Sequence, residues 1–200
     1  ETPGFFQVLL FFGFLERERE EAKPMERKGL IQVYTGDGKG KTTAAIGLAI
    51  RACSHDLRVC YVYFHKDLAK WGYSEHLVLK KVGVDVFAFA KQHSFCDKKA
   101  TREDIRKDCL RGLDFIKKMY SQEKYDLLIL DEINISIRDR FLKTEEVLPI
   151  LTEKPASLEL VLTGRGAPQK FIELADLVSR IQKIKHPYDK GVERREGIEY

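Results

Sequence analysis

Thr35-Gly36-Asp37-Gly38-Lys39-Gly40-Lys41-Thr42-Thr43 lies between the apolar run Leu30-Ile31-Gln32-Val33-Tyr34 and the helix-forming run Ala44-Ala45-Ile46-Gly47-Leu48-Ala49-Ile50. Strand, glycine loop and helix in that order make a phosphate cradle. Three glycines in five positions let successive backbone N–H groups turn inward on an anion, and the following helix adds the positive end of its dipole. Lys41 is placed to bridge phosphate oxygens, and the Thr42 hydroxyl to ligate a magnesium ion. The general pattern G-x-x-x-x-G-K-[ST] has glycine where this chain has Thr35, and here the glycines begin one residue later.

The 200 residues suffice for one domain with a sizeable core. Charged residues at 33% and hydrophobic ones at 44% fit a soluble globular protein. A formal charge of +4 gives no case for a nucleic-acid partner. Cys53, Cys60, Cys96 and Cys109 form no C-x-x-C pair, which points to reduced thiols and a cytoplasmic setting. Phe5 to Leu15 is strongly apolar but shorter than the roughly 20 residues of a membrane span. Flanked by Glu1 and by the charged run Glu16-Arg17-Glu18-Arg19-Glu20-Glu21, it reads as a docking arm or as sequence upstream of the domain, with no stable membrane insertion. Residues 1–26 are thus an arm, apolar then charged, and residues 27–200 the P-loop domain.

From residue 29 on, apolar runs alternate with helical patterns. Strands are expected at Leu30 to Thr35, Arg58 to Phe64, Val84 to Phe89, Leu127 to Asp131, Leu158 to Leu162 and Leu177 to Lys183. The clearest helix runs from about Thr101 to Tyr120, where Ile105, Cys109, Leu113, Ile116 and Tyr120 recur at helical spacing and Thr101 with Asp104 resembles a capping box. Further helices are expected after Thr42, over Ser74 to Lys81, and from Thr144 and Pro168. This order implies an α/β fold, a RecA-like P-loop protein of three α/β/α layers around a mostly parallel sheet of about six strands. Ligand should then bind at the carboxyl ends of the strands.

Two segments fall at that edge. Leu127-Leu128-Ile129-Leu130-Asp131-Glu132 is an apolar strand ending in two carboxylates, the place where a P-loop protein holds magnesium opposite the loop threonine. Thr163-Gly164-Arg165-Gly166 follows another strand and frees Arg165 to fork onto phosphate, although a solvated turn has the same composition. Lys183 to Arg195 is basic, but Asp189 and Glu193 interrupt it. No histidine is assigned a metal. No Asn-Lys-x-Asp segment marks a GTPase, and a helicase or motor should be longer, leaving a small-molecule kinase or transferase.

Gly29 to Ala52, Leu130-Asp-Glu-Ile-Asn134, Thr163-Gly-Arg-Gly166, Glu173-Leu-Ala-Asp176 and Lys185-His186 through Gly197-Ile-Glu-Tyr200 resemble the P-loop corrinoid adenosyltransferases, the ATP:cob(I)alamin enzymes. The resemblance runs from about residue 27 to the last residue, and the departing phosphate loop agrees with this family's own version. It implies that ATP lies reversed in the loop, that the reduced cobalt of a corrinoid attacks the ribose 5′ carbon, and that triphosphate leaves. Cob(I)alamin is a strong nucleophile needing no base from the protein, so the protein must align C5′ and stabilise the leaving group. The resemblance assigns nucleotide binding to Gly36, Asp37, Gly38, Lys39, Gly40, Lys41, Thr42 and Thr43, with Arg51 and Arg165 as further contacts. Lys41 and Glu132 are the catalytic assignments, and Thr42, Glu132 and Asp131 those for magnesium. A reductase or flavoprotein is the implied electron donor. Family members carry a polar, helical arm that can cover a partner's active site, whereas Phe5 to Leu15 is strongly apolar, and burial of such a face favours a homodimer.

The family strips the axial cobalt ligand with a phenylalanine and a tryptophan close together after the third strand. Here Ala90-Lys91-Gln92-His93-Ser94-Phe95-Cys96-Asp97 offers Phe95 alone as the corrinoid contact, and the one tryptophan is Trp71 in an earlier loop. The rival reading is a regulatory or assembly ATPase in which Glu132 orients water.

Overall fold

The computed structural model describes residues 28–68, 74–91, 100–122, 124–193 and 195–198. The expectations for residues 1–26, Trp71 and Phe95 lie outside these. The apolar runs form β1 (Ile31–Thr35), β2 (Val59–Phe64), β3 (Asp85–Phe89), β4 (Leu127–Asp131), β5 (Glu159–Thr163) and β6 (Leu177–Arg180). Between them stand α1 (Lys41–Cys53), α2 (Glu75–Lys81), α3 (Arg102–Tyr120), α4 (Ile133–Arg138), α5 (Thr144–Thr152) and α6 (Gln169–Leu174), and a 3-10 turn at Pro187–Lys190 follows β6. The strands make one sheet in the order β3-β2-β4-β5-β1-β6. Every neighbouring pair is parallel, as helical crossovers require.

Side-chain alternation splits the core into two layers. On one face Tyr61, Tyr63, Leu127, Ile129 and Val161 pack against Ala45, Ala49 and Ala52 of α1 and Leu79 of α2. The alanines let α1 lie close to the sheet, directly behind the phosphate loop. On the other face Val62, Phe64, Leu128, Leu130, Leu160 and Leu162 meet Ile105, Cys109, Leu113 and Ile116 of α3 and Val147, Ile150 and Leu151 of α5. Thr101 caps α3 with the expected box, its hydroxyl accepting from the Asp104 N–H while the Asp104 carboxylate accepts from the Thr101 N–H.

Two differences from the sequence reading bear on the site. β6 ends at Arg180 rather than Lys183 because Ile181 bonds the phosphate loop: its N–H donates to the Thr35 carbonyl and its carbonyl accepts from the Gly38 N–H, both at 2.8 Å. The short helix α4 follows Glu132, which adopts a left-handed conformation at φ 64°. Cys53, Cys60 and Cys109 are free thiols. Among the described residues no helix is long and apolar enough to cross a membrane.

Candidate active site

The carboxyl edge of the sheet opens into a cavity of about 1000 Å³, within the range of small-molecule sites. Asp37, Gly38, Lys39, Gly40, Lys41, Thr42 and Thr43 line its floor, with Lys66, Glu132, Arg165 and Lys183 around it. The C-terminal segment, including His186, Tyr188, Glu193 and Ile198, forms a wall. That wall is tied to the floor by Lys39, whose Nζ donates to the Ile198 carbonyl at 2.8 Å.

The loop's shape follows from its glycines and its neighbours. Gly36 has φ 97°, and a Cβ there would stand 2.4 Å from the Ile181 carbonyl oxygen. The Gly38 N–H is already spent on Ile181, so anion binding falls to the other loop amides and the first turn of α1. That turn is unsatisfied: no side chain caps Gly40 and no acidic residue occupies it. A helix start left without a cap presents N–H groups and a positive dipole end to a ligand. Thr35, standing where glycine is usual, is buried, and its hydroxyl accepts from the Ala167 N–H at 3.3 Å. It therefore joins the phosphate loop to the Arg165 loop, a role glycine cannot fill.

The Lys41 ammonium lies against the loop, donating to the carbonyls of Gly36 at 2.8 Å and Gly38 at 2.6 Å. Burial pulls its pKa down, and nearby Glu132 partly offsets this. Both effects are ready for an anionic ligand, which replaces two neutral carbonyls with charge.

Opposite stands a buried polar cluster. Asp131 continues the Leu127–Ile129 face of β4 toward α1 and is fully buried. It accepts from Thr163 Oγ1 at 2.6 Å, from Thr42 Oγ1 at 3.1 Å and from Lys66 Nζ at 2.6 Å. Thr163 Oγ1 also accepts from the Glu132 N–H at 3.0 Å, so one hydroxyl holds both neighbours. Lys66 donates to Thr42 Oγ1 as well, at 3.1 Å. The hard oxygens of Thr42 and Asp131, already bridged by an ammonium, are a donor set that suits magnesium. Glu132 faces the cavity beside them. Its Oε2 is buried without a hydrogen-bond partner among the described residues, and a Cβ at Gly164, where φ is 128°, would come within 3.2 Å of it. Burial first, then the Asp131 charge, push the Glu132 carboxyl pKa up, against the pull of Lys66 and Lys41.

Of the residues singled out in the sequence, Asp37, Gly38, Lys39, Gly40, Lys41, Thr42, Thr43, Glu132 and Arg165 line the cavity, and Gly36 and Asp131 stand directly behind it. Arg51 is not among the cavity-lining residues: it is exposed in the last turn of α1, and at 1.5 Å per residue the helix carries it on the order of 15 Å from Lys41. Lys66 and the Thr163 hydroxyl were missed. Both lie just past or at the carboxyl end of a strand, which is the signal that would have found them.

A glycine loop between strand and helix, a carboxylate pair two strands away and a parallel sheet define a P-loop nucleotide-binding protein. The archaeal flagellar accessory protein FlaH of Methanocaldococcus jannaschii shares this fold, with a TM-score of 0.52 at 14% identity over 77% of this chain and 71% of that one. The family described as ATP:corrinoid adenosyltransferase BtuR/CobO/CobP matches residues 27–200. The corrinoid adenosyltransferase of Escherichia coli K12 is 36% identical over 90% of this chain and 89% of its own length. That of Salmonella typhimurium is 35% identical over the same shares, and that of Sinorhizobium sp. 34% identical over 92% and 86%. The chain belongs to the ATP:corrinoid adenosyltransferase family. As a member it is an ATP-dependent transferase with ATP and a corrinoid as substrates.

Proposed function

We propose that the protein transfers the 5′-deoxyadenosyl group of ATP to cobalt(I) of a cob(I)alamin-type corrinoid, releasing triphosphate, in adenosylcobalamin synthesis or salvage. The cobalt–carbon bond forms as the C5′–O bond breaks. Cobalt supplies the new bond's electron pair and becomes formally cobalt(III), and the pair of the broken bond leaves on the triphosphate. The observation carrying this reading is where the donors gather. Lys41, Arg165 and the uncapped start of α1 converge on one end of the cavity, where charge accumulates on the leaving group.

Thr42, Asp131 and Glu132 are the residues that would hold magnesium, which when bound neutralises charge on the triphosphate. Lys41 exchanges two carbonyl partners for phosphate oxygens, and the α1 amides bind others without reorganising. Phe95 is the residue proposed to displace the axial cobalt ligand. A reductase or flavoprotein supplies the electron, and the enzyme works as a cytoplasmic homodimer. Incubation with MgATP and chemically reduced cobalamin tests the proposal. A shift of the visible spectrum to that of an alkylcorrinoid, with stoichiometric triphosphate, is expected. ADP and phosphate, without spectral change, would make the protein an ATPase instead.

A further inference from the structure

Lys66 has no role in the chemistry above, yet it is a buried cation of the cavity that is ion-paired with Asp131. It is 8% exposed, two residues beyond the end of β2, and its ammonium bridges the two oxygens best placed to bind a divalent cation, Asp131 Oδ2 at 2.6 Å and Thr42 Oγ1 at 3.1 Å. The ammonium takes one of the two lone pairs of the Thr42 hydroxyl and stands between Thr42 and Asp131. A magnesium bound to the same two oxygens at about 2.1 Å would crowd a second cation against it, and the repulsion of the two charges opposes loading of the metal while the ammonium stays. Asp131 in turn needs a cation at all times, because a buried carboxylate with only hydroxyl partners is poorly stabilised.

We infer that Lys66 is the built-in counter-ion of the magnesium seat. In the nucleotide-free protein its ammonium closes the Asp131–Thr42 pair to divalent cations. When the metal arrives with ATP, the ammonium leaves the pair and turns toward the triphosphate across the cavity that it lines. The ring of Tyr63, whose centroid is 5.4 Å from Nζ, flanks the ammonium. Metal loading is thereby coupled to nucleotide: the seat opens only when phosphate offers the displaced ammonium a better partner. The inference rests on the proposed placement of magnesium at Thr42 and Asp131.

Manganese(II), followed by electron paramagnetic resonance and calorimetry, is the probe. Without nucleotide, Lys66→Met should bind manganese at least tenfold more tightly than the unsubstituted protein, and Lys66→Arg, which keeps the charge, should not. Lys66→Gln, whose amide still donates to Asp131, should show the same gain and covers the case in which the methionine variant fails to fold. Adding Asp131→Asn to Lys66→Met should abolish the gain. Unchanged or weaker manganese binding in both neutral variants would overturn the inference. A separate arm measures manganese bound together with ATP by the unsubstituted protein and by Thr42→Val. If Thr42→Val has no effect there, the magnesium seat itself is misplaced, and the inference falls with it.

Discussion

Thr163→Val removes one oxygen from the site and leaves shape almost unchanged, so its cost isolates what that hydroxyl does. In the structure the hydroxyl donates to the buried Asp131 carboxylate at 2.6 Å and accepts from the Glu132 N–H at 3.0 Å. A hydrogen bond to a charged group contributes about 1.5–3 kcal/mol, and leaving a buried N–H unsatisfied costs about 1–3 kcal/mol more. Valine is well suited to a strand and opens no cavity, so neither propensity nor packing offsets the loss. The sum is about 2.5–6 kcal/mol, a large part of the roughly 5–15 kcal/mol stability of a domain. Urea unfolding, read at unchanged slope, should show this drop, while Thr163→Ser should keep most of the stability. Turnover at saturating substrates should fall in Thr163→Val even well below its melting temperature, because Asp131 and the Glu132 backbone lose their shared anchor. A loss under about 1 kcal/mol would mean that Asp131 is fully served by Lys66 and Thr42, and that β5 contributes packing alone.

Lys41→Ala and Thr42→Ala should each abolish turnover while circular dichroism stays unchanged; near-normal activity of either with saturating MgATP would sink the leaving-group assignment. Gly36→Ala should lose nucleotide binding, measured by calorimetry, and about 2 kcal/mol or more of stability, since the new Cβ meets the Ile181 carbonyl oxygen at 2.4 Å. Phe95→Ala should slow the reaction when a mild reductant must first convert cobalt(II) to cobalt(I), and much less when cob(I)alamin is supplied directly; equal losses would make Phe95 a packing residue. Glu132→Gln should lower the rate roughly 100-fold and yet raise the melting temperature near neutral pH. The pKa of Glu132 is raised in the folded protein, so between its unfolded and folded pKa values the folded state binds more protons and stability falls as pH rises. The gain from glutamine should therefore shrink toward zero as pH drops below the ordinary glutamate pKa of 4.5, and a pH-independent gain would refute burial of the charge as its cause.

All six strands and the capped helix α3 were legible because their signals are local: apolar runs of four to six residues, and a hydroxyl three residues before a carboxylate. α4 was not. Ile133-Asn134-Ile135-Ser136-Ile137 alternates apolar and polar with β-branched residues, a strand-like pattern, but the left-handed turn at Glu132 starts a helix that buries Asn134 and Ser136 along with Ile133 and Ile135. The C-terminal stretch was ambiguous because its charges interleave. Folding resolves this, as Lys183 pairs with Asp189 at 2.9 Å and the segment becomes a cavity wall instead of a free basic patch. Lys66 carries no motif at all. Its importance comes from pairing with Asp131, 65 residues away, which only the sheet order makes possible.

That order also explains how core pattern and chemistry depend on each other. β5 lies between the phosphate-loop strand β1 and the carboxylate strand β4, so the loop and Asp131 are separated by two strand spacings, nearly 10 Å at about 4.8 Å each. Thr42 crosses the gap from above on α1, and Thr163 fills it from β5, one residue beyond the Leu130–Leu162 pair. Tyr63 stands beside Asp131 on β2, continuing the face begun by Tyr61, as Thr163 continues that of Val161 and Asp131 that of Ile129. A one-residue slip of β4 would turn Asp131 to the α3 side of the sheet, away from Thr42 and Lys66, while also exposing the wrong leucines to α1. The hydrophobic alternation that forbids such a slip is thus what aims the carboxylate. Stability of the inner strands and geometry of the cation seat are set by the same side chains, so substitutions at Leu127 or Ile129 should perturb metal-dependent turnover before they unfold the protein.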